Sequence, residues 1–200
     1  SADATLMADT LGSAAFLTPA SALRDRGFGN LITYSKKVFI PLTHLCRDVC
    51  HYCTFAQAPK KVATPYIAID QVLETVSYAA EQGCKEVLFT LGEKPELRYK
   101  TARDALISMG YTSTTDYLHD VAKEVFEKTG LLPHLNPGTL TLSEIERLRG
   151  VAPSMGIMLE SVAERLTKKG MPHYGSPDKD PKVRLQTLAD AGRASIPFTT

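Results

Sequence analysis

The stretch FIPLTHLCRDVCHYCTF, residues 39–55, places three cysteines directly after an apolar segment with the pattern of a buried strand. Cys46, Cys50 and Cys53 follow the spacing CxxxCxxC. Cysteine thiolates are soft ligands that suit iron–sulfur clusters and zinc. Clusters that only carry electrons are commonly held by four cysteines, so three cysteines leave one iron without a protein ligand. The spacing therefore predicts a cubane cluster whose open iron binds a substrate or a cofactor.

A zinc ion is the alternative occupant of the same cysteines. A structural zinc site usually takes four ligands in closely spaced pairs, and the further candidates here are His44, His51 and the distant Cys84. His51 lies between two of the cysteines and is poorly placed to turn back toward their metal. The residue pattern favours an iron–sulfur cluster and leaves zinc, or no metal at all, as open alternatives.

The overall composition gives no support for a nucleic-acid or membrane partner. The 200 residues include 23 basic and 22 acidic side chains, without a long run of like charge. No apolar stretch approaches the roughly 20 residues that span a bilayer, and the first residues lack the pattern of a secretory signal. Because three of the four cysteines are clustered at ligand spacing, we expect a reducing compartment, the cytoplasm.

Helix-like and strand-like segments alternate along the chain from residue 69 onward. This order is typical of an α/β protein with parallel β/α units, in either a barrel or a doubly wound sheet. Asp70 is the predicted cap of the first of these helices, and Ser143 with Glu146 is a predicted capping box. The hydrophobic pattern predicts strands over residues 37–42, 86–91, 131–135, 154–160 and 196–200, and helices over residues 70–83, 99–109, 115–128, 143–150 and 180–192.

Polar or flexible residues follow most of the predicted strands. The cysteine loop follows the first strand, Gly92 and Glu93 follow the second, residues 136–138 follow the third and Glu160 ends the fourth. The carboxyl ends of parallel strands meet at one edge of the sheet, where catalytic groups of such folds lie. We therefore expect these residues to converge on one face of the domain.

We divide the chain into a lead segment, residues 1–30, and a core domain, residues 31–200. The lead segment is rich in small residues, is predicted to be helical and carries no recognisable chemistry. The last predicted strand of the core domain ends at residue 200 with no helix to cover it. Natural sheets avoid such an unpaired edge, so we expect the core domain to be incomplete at its carboxyl end.

With the cysteine loop after the first strand and an aromatic residue before the third cysteine, the sequence resembles the radical S-adenosylmethionine (SAM) superfamily. The resemblance implies a partial (β/α)6 TIM-like barrel, truncated after about its fifth strand. It implies two cofactors: a 4Fe-4S cluster on Cys46, Cys50 and Cys53, and SAM, whose amino and carboxylate groups chelate the open iron. In that superfamily they generate a 5'-deoxyadenosyl radical that abstracts a substrate hydrogen.

The same resemblance implies which residues bind SAM. Residues 90–96, TLGEKPE, are similar to the Gly-Gly-Glu element of the superfamily, with Leu91 in place of the first glycine. In that element the strand-end backbone and a carboxylate receive the SAM ammonium group, and glycine permits close backbone approach. The implied cofactor-binding residues are Tyr52, Gly92, Glu93, Glu160 and Arg184.

Longer stretches resemble one family within this superfamily, the synthases of the deazaflavin chromophore 7,8-didemethyl-8-hydroxy-5-deazariboflavin (FO). The resemblance favours the ring-closing CofG form, or the first half of the fused FbiC form. It implies a carbon–nitrogen lyase that cyclises the adduct of tyrosine and 5-amino-6-ribitylaminouracil and releases ammonia. The implied partners are a CofH-like module, fused or separate, and an electron donor such as a flavodoxin or ferredoxin. The stretches are residues 34–43, 46–55, 89–96, 131–138 and 173–180.

Ring closure requires a base or a proton relay, and the sequence does not single out one residue for this role. Binding groups concentrate at strand ends and in loops rich in glycine and proline. The candidates at such positions are His134, Asn136, His173, Tyr174, Ser176 and Asp178. Two alternatives stay open: a related radical SAM enzyme, CofH-like or of the futalosine pathway, and a zinc-stapled binding module.

Overall fold

The computed structural model describes residues 2–12 and 14–200, and the chain divides into two compact units at Tyr34 and Ser35. The first unit contains helices α1 (Ala2–Leu11) and α2 (Ala14–Phe28). Its side chains that the structure describes include none that is buried, so this unit has no apolar core among them. The division falls four residues after the boundary expected from the sequence.

The second unit is built on a five-stranded, entirely parallel sheet. Its strands lie side by side in chain order, β1-β2-β3-β4-β5. A doubly wound sheet reverses its strand order at a switch point, whereas a barrel adds each strand beside the previous one. The predicted α/β class is therefore confirmed, and the order is that of a barrel. The strands are β1 (Lys37–Ile40), β2 (Glu86–Thr90), β3 (Leu132–Asn136), β4 (Ser154–Gly156) and β5 (Phe198–Thr199).

Helices connect successive strands and cover one face of the sheet. They are α3 (Ile69–Glu81), α4 (Lys100–Ser108), α5 (Thr114–Thr129), α6 (Leu142–Leu148) and α7 (Pro181–Arg193). Within the second unit, short 3-10 helices lie in the loops at Pro59–Lys61, Pro95–Leu97, Glu164–Thr167 and Pro177–Lys179. Within residues 2–12 and 14–200, the structure contains no helix with the length and apolar character needed to cross a membrane.

The alternation of side chains along the strands separates the core from the functional face. In β2, Val87 and Phe89 are fully buried, whereas Leu88 and Thr90 are partly exposed on the opposite face. Alternate residues of a strand point to opposite faces, so the first pair packs under the helices and the second lines the inside of the barrel. The inner face is where the strands present their polar residues.

Local signals placed several element boundaries incorrectly. The N-cap of α3 is Ala68, and Asp70 lies within the first turn. The capping box of α6 joins Thr141 to Glu144, because the Thr141 N–H donates to the Glu144 carboxylate at 2.8 Å, so the predicted box at Ser143 and Glu146 was wrong. Strand β4 ends at Gly156, and its predicted extension to residue 160 lies in irregular chain.

Candidate functional site

The loop after β1 packs directly on the loop after β2. The Gly92 N–H donates to the Thr43 carbonyl at 2.8 Å, and the Glu93 N–H donates to Cys46 Sγ at 3.3 Å. A Cβ atom at position 92 would lie 1.8 Å from the Leu45 carbonyl oxygen. Glycine is therefore required here because the two loops are in contact. The resemblance implied a different reason, namely close approach of the backbone to a cofactor.

The other side of the cysteine loop is held by residues of the segment before α7. The Val49 N–H donates to Ser176 Oγ at 3.0 Å, and Cys50 Sγ lies 3.5 Å from the same oxygen. The Asp178 N–H donates to Asp48 Oδ1 at 3.2 Å. The loop is thus fixed from two directions by hydrogen bonds to segments distant in sequence.

The residues at the strand ends line one cavity of about 200 Å³, as the strand order predicts. The cavity lies at the carboxyl ends of β1 to β4. Its lining includes Cys46, Cys50, Cys53, Tyr52, Gly92, Glu93, Asn136, Glu160 and Arg184. The structure thereby brings together the three cysteines and all five residues implied to bind SAM.

Beneath the cavity lies a network of buried charges around Arg184, whose side chain is 3% exposed. Arg184 Nη2 lies 3.1 Å from Glu93 Oε2, and its Nε donates to the Asp178 carbonyl at 2.8 Å. The Thr139 N–H donates to Glu93 Oε1 at 2.5 Å, and the Thr139 hydroxyl donates to the same oxygen. A remaining guanidinium nitrogen, Nη1, donates to the Met158 carbonyl at 2.5 Å. Arg184 and Glu93 thus support each other from inside the fold.

Burial controls the ionisation of this network. Burial, together with the nearby Asp178 carboxylate, raises the pKa of Glu93 to about 7, even though Arg184 and Thr139 act to lower it. Burial also raises the pKa of Asp48, again with a contribution from Asp178. The Arg47 Nε atom lies 3.3 Å from Asp178 Oδ2 and adds a second cation beside the carboxylates. Two guanidinium groups therefore balance the acidic side chains behind the cysteine loop.

The separation of the cysteine sulfurs fits a group larger than one metal ion. Within the described residues, the one set of three potential ligand atoms that lie within 4.8 Å of one another belongs to Asp48, Glu93 and Asp178. At least one pair of the three cysteine Sγ atoms is therefore more than 4.8 Å apart. A zinc ion bonds sulfur at about 2.3 Å, so two thiolates on one ion lie at most about 4.6 Å apart. Three separated thiols around one cavity fit an iron–sulfur cluster better than zinc.

Burial disfavours the thiolate form of two of the three cysteines when no metal is bound. Burial raises the pKa of the Cys46 thiol to about 12, and it also raises the pKa of Cys50. The thiolate is the form that binds metal, and a bound metal stabilises it by its own positive charge. All four cysteines are free thiols, and Cys84 is buried in the hydrophobic core.

On the far wall of the cavity, Glu160 and Tyr52 have partners within the protein. Glu160 has a positive φ of 64° and accepts a hydrogen bond from Lys179 Nζ at 2.7 Å. Burial opposes ionisation of Glu160, but the hydrogen bond and charge of Lys179 outweigh it and lower the pKa. The Tyr52 hydroxyl lies 3.2 Å from His173 Nε2. These contacts hold both side chains at the rim of the cavity.

The predicted catalytic candidates do not all lie together. Asn136 lines the cavity, and its Oδ1 atom is buried without a hydrogen-bond partner among the described residues. Asp178 lies behind the cavity beside Arg184, and His173 contacts Tyr52. His134, by contrast, hydrogen-bonds Ser154 Oγ at 2.7 Å and does not line the cavity. Tyr174 does not line it either, and its residue is 46% exposed.

Sequence reasoning missed three residues of the site. Thr139 donates two hydrogen bonds to Glu93, Asp48 accepts one from Asp178, and Lys179 pairs with Glu160. Thr139 follows the Asn-Pro-Gly turn after β3, so its place at a strand end was a usable signal. Asp48 stands between two of the cysteines, which was a second usable signal. Lys179 had no distinguishing pattern.

Together, the fold and the site define a parallel β/α-barrel protein with three cysteines around a cavity at the carboxyl ends of its strands. The model of the family described as the radical SAM superfamily matches residues 40–200. The chain belongs to the radical SAM superfamily.

Within this superfamily, the chain is similar to curated proteins named as synthases of FO. The chain is 54% identical over 203 residues to the FO synthase of Mycobacterium tuberculosis (strain CDC 1551 / Oshkosh), an alignment that covers 97% of this chain and 24% of that protein. It is 48% identical over 170 residues to the 7,8-didemethyl-8-hydroxy-5-deazariboflavin synthase of Methanopyrus kandleri, with 85% of this chain and 51% of that protein covered. The chain thus spans about a quarter of the first relative and about half of the second.

Solved structures support the fold. The FeFe-hydrogenase maturase HydG from Carboxydothermus hydrogenoformans aligns with a TM-score of 0.67 at 20% identity, over 89% of this chain and 38% of that chain. Methylornithine synthase (PylB) aligns with a TM-score of 0.63 at 18% identity, over 88% of this chain and 46% of that chain. At these identities the likeness shows the shared barrel fold alone.

Proposed function

We propose that this chain is the radical-generating part of an FO synthase, which cyclises the adduct of tyrosine and 5-amino-6-ribitylaminouracil and releases ammonia. The observation that carries the proposal is the 54% identity to an FO synthase over 97% of the chain, a stretch that includes the cavity. The ring-closing half of the pathway is favoured by the residues of the cysteine loop, Arg-Asp-Val between Cys46 and Cys50 and His-Tyr between Cys50 and Cys53.

In this proposal Cys46, Cys50 and Cys53 hold a 4Fe-4S cluster and the cavity beside them binds SAM. When bound, these cofactors supply a carbon radical that can abstract a hydrogen atom from the substrate. The Glu93 N–H, 3.3 Å from Cys46 Sγ, stabilises negative charge on that thiolate. Hydrogen bonds from backbone N–H groups to cluster sulfurs also tune the potential at which such a cluster accepts an electron.

The proposed binding wall for SAM is formed by the side chains of Tyr52, Glu93, Glu160 and Arg184. Glu93 offers a carboxylate to the SAM ammonium group, with Arg184 and Thr139 holding that carboxylate in place. The side chains of Glu160 and Tyr52 face the same cavity from its other side. Gly92 keeps the two loops close enough for Glu93 to reach the cavity. Arg184, whose nitrogens already have partners in the protein, acts mainly by positioning Glu93.

Among the candidates for contact with the adduct, we favour Asn136. Asn136 lines the cavity and its buried Oδ1 atom makes no hydrogen bond within 3.5 Å to any described residue, and an unsatisfied buried oxygen is costly unless a ligand donates to it. Gly156 makes this orientation compatible with the neighbouring strand, since a Cβ atom there would lie 2.4 Å from Asn136 Oδ1. The residue that accepts the proton during ring closure is not assigned among His134, His173, Tyr174 and Asp178.

The proposal includes a CofH-like module that makes the adduct and a one-electron donor that reduces the cluster. It also includes a cytoplasmic location, because free thiols at ligand spacing suit a reducing compartment.

The test is anaerobic reconstitution of the full-length protein with iron and sulfide, followed by incubation with SAM, dithionite and the tyrosine–uracil adduct. We expect about four irons per cysteine site, broad visible absorption, 5'-deoxyadenosine and a fluorescent deazaflavin product. Asn136→Ala should raise KM for the adduct more than it lowers the rate of 5'-deoxyadenosine formation without the adduct. One zinc and no iron per site, or no deazaflavin from a fully loaded protein, would contradict the proposal.

A further inference from the structure

The three cysteines line two different cavities. One is the cavity at the strand ends, which also contains Glu93 and Arg184. The other has about the same volume, 200 Å³, and contains neither of these two residues. It is bounded by residues 56–58 of the chain after the cysteines and by Arg98 and Tyr99 after β2, and we call it the Arg98 cavity. The cysteine loop can therefore be approached from a second direction that does not cross the proposed SAM site.

Exposed positive charge surrounds the Arg98 cavity. Residues 56–62 and 97–104, which form its outer walls, contain five cationic side chains and one carboxylate, Asp104, and the cysteine loop adds the buried carboxylate of Asp48. Asp104 is paired with Lys100 at 2.6 Å. The five cations are all on exposed residues: Lys60, Lys61, Arg98, Lys100 and Arg103. The net charge of this chain is only +1, so the positive charge of this face is a local feature.

Arg98 is fixed at the wall of the cavity by contacts with the cysteine loop. Its Nη1 atom donates to the Arg47 carbonyl at 3.2 Å and to the Asp48 carbonyl at 3.5 Å, the latter at the limit of a hydrogen bond. Its guanidinium carbon lies 4.9 Å from the centre of the Tyr99 ring. The residue thus joins the charged surface to the backbone between Cys46 and Cys50.

We propose that this face binds a small, acidic one-electron carrier protein, which delivers its electron to the cluster through the Arg98 cavity. The inference rests on the proposed function, because only a redox-active cluster needs such a partner. The donor loses one electron and the cluster gains one, and no bond is made or broken. A cationic face steers an acidic partner toward the Arg98 cavity, which the cysteines line, while the other cavity stays free for SAM and substrate.

The test compares two charge-reversed variants of the full-length, cluster-loaded protein. Lys60→Glu with Lys61→Glu removes charge from the proposed face without altering a residue of the cavity walls. The matched control is Lys85→Glu with Lys128→Glu, at two exposed positions near the amino-terminal ends of β2 and β3. The probe is a flavodoxin of strongly negative net charge, used oxidised for calorimetric binding and reduced for electron transfer.

We expect the Kd for oxidised flavodoxin to rise about tenfold or more in the Lys60/Lys61 variant at low ionic strength, and to change little in the control. The difference should shrink as salt is added, because exposed charges are screened. Bleaching of the cluster absorption by reduced flavodoxin should slow in parallel, while bleaching by dithionite should be the same for all three proteins.

Two results would overturn the inference: no binding of flavodoxin to the unaltered protein, or an equal Kd for the two variants. Neither result affects the proposed function if dithionite still supports formation of 5'-deoxyadenosine and FO. Conversely, failure of the dithionite reaction would remove the proposed function, while the Kd values would still report whether this face binds an acidic protein.

Discussion

Arg184 and Glu93, which are 91 residues apart in the chain, form an ion pair with 3.1 Å between Nη2 and Oε2, and both side chains are more than nine-tenths buried. The pair connects α7 to the loop after β2 directly behind the cysteine site. Buried ion pairs are costly to break, because removal of one partner leaves the other charge without compensation. Arg184 is therefore expected to affect both the stability of the domain and the position of Glu93.

Replacing Arg184 by methionine should destabilise the fold by about 3–5 kcal/mol, since it leaves the Glu93 and Asp178 carboxylates close together without their guanidinium partner. The free energy of unfolding from urea titration gives the measurement. Arg193→Met is the matched control, because Arg193 is also in α7 and also pairs with a carboxylate, that of Asp190. The Arg193 side chain is 64% exposed, so the free energy of unfolding should change by no more than about 0.5 kcal/mol.

A double-mutant cycle separates the ion pair from general damage. Glu93→Gln combined with Arg184→Met should be less destabilising than the sum of the two single changes, with a coupling of about 1–3 kcal/mol. Strict additivity would mean that the contact between the two side chains contributes nothing measurable.

Changing any one of Cys46, Cys50 and Cys53 to alanine should abolish retention of the reconstituted cluster, because each supplies one of the three proposed ligands. Iron and sulfide content after desalting, with the visible spectrum, gives the readout. Cys84→Ala is the control and should keep a full complement of iron, since Cys84 lies in the core and does not line the cavity. A Cys50 variant with normal iron content would remove the cluster assignment.

Substitution of glycine by alanine should have opposite effects on stability at positions 92 and 192. Gly92→Ala should cost about 3 kcal/mol, because the added Cβ atom would lie 1.8 Å from the Leu45 carbonyl oxygen and would push the cysteine loop away from β2. Gly192→Ala, in α7, meets no atom of the rest of the fold within 4 Å and should add about 0.5–1 kcal/mol through higher helix propensity. Urea midpoints of both variants at pH 7 test the contrast.

Acid should weaken the start of α5 in a defined pH range. Burial opposes ionisation of Asp116, but hydrogen bonds from Thr112, Arg147 and Ser113 outweigh it and lower the pKa of Asp116 to about 2. A lowered pKa in the folded state adds stability above the unfolded value, near pH 3.8, and this stability is lost as the pH falls toward 2. The Tm difference between the wild type and Asp116→Asn should therefore be constant above about pH 5 and shrink toward pH 2. A pH-independent difference would contradict this assignment.

The sequence predicted the main elements of the barrel because their signals are local. Strands β1 to β3 have alternating or continuous apolar patterns, and α7 begins at the predicted Asp180-Pro181 pair, with the Asp180 carboxylate accepting from the Lys182 N–H at 2.8 Å. The capping box of α6 was placed two residues late because Thr141 and Ser143 both stand three residues before a glutamate. The choice between Thr141 and Ser143 depends on where the helix begins, and α6 begins at Leu142.

The sequence predicted which residues lie at the candidate site, but it did not predict the contacts between them. Strand order alone places Cys46, Glu93 and Asn136 at one edge of the sheet. The link between Asp178 and Asp48 spans 130 residues and has no local signature. Arg184 lines the cavity as expected, but no signal in the sequence indicated that its nitrogens also contact Asp178, Met158 and Glu93. Such choices depend on long-range packing, which a single sequence does not display.

The hydrogen bonds that hold the cysteine loop from its far side have a consequence for biosynthesis. Val49 is held by Ser176, 127 residues later in the chain, and His51 donates to the carbonyl of Pro172. A ribosome that has completed residue 160 has already released all three cysteines, but it has not yet made these two partners. Until then the thiols lack their final arrangement and are open to oxidation. The cysteine loop is therefore expected to reach its final arrangement only after residues 172–176 have left the ribosome, which under the proposed function sets the earliest point for cluster assembly.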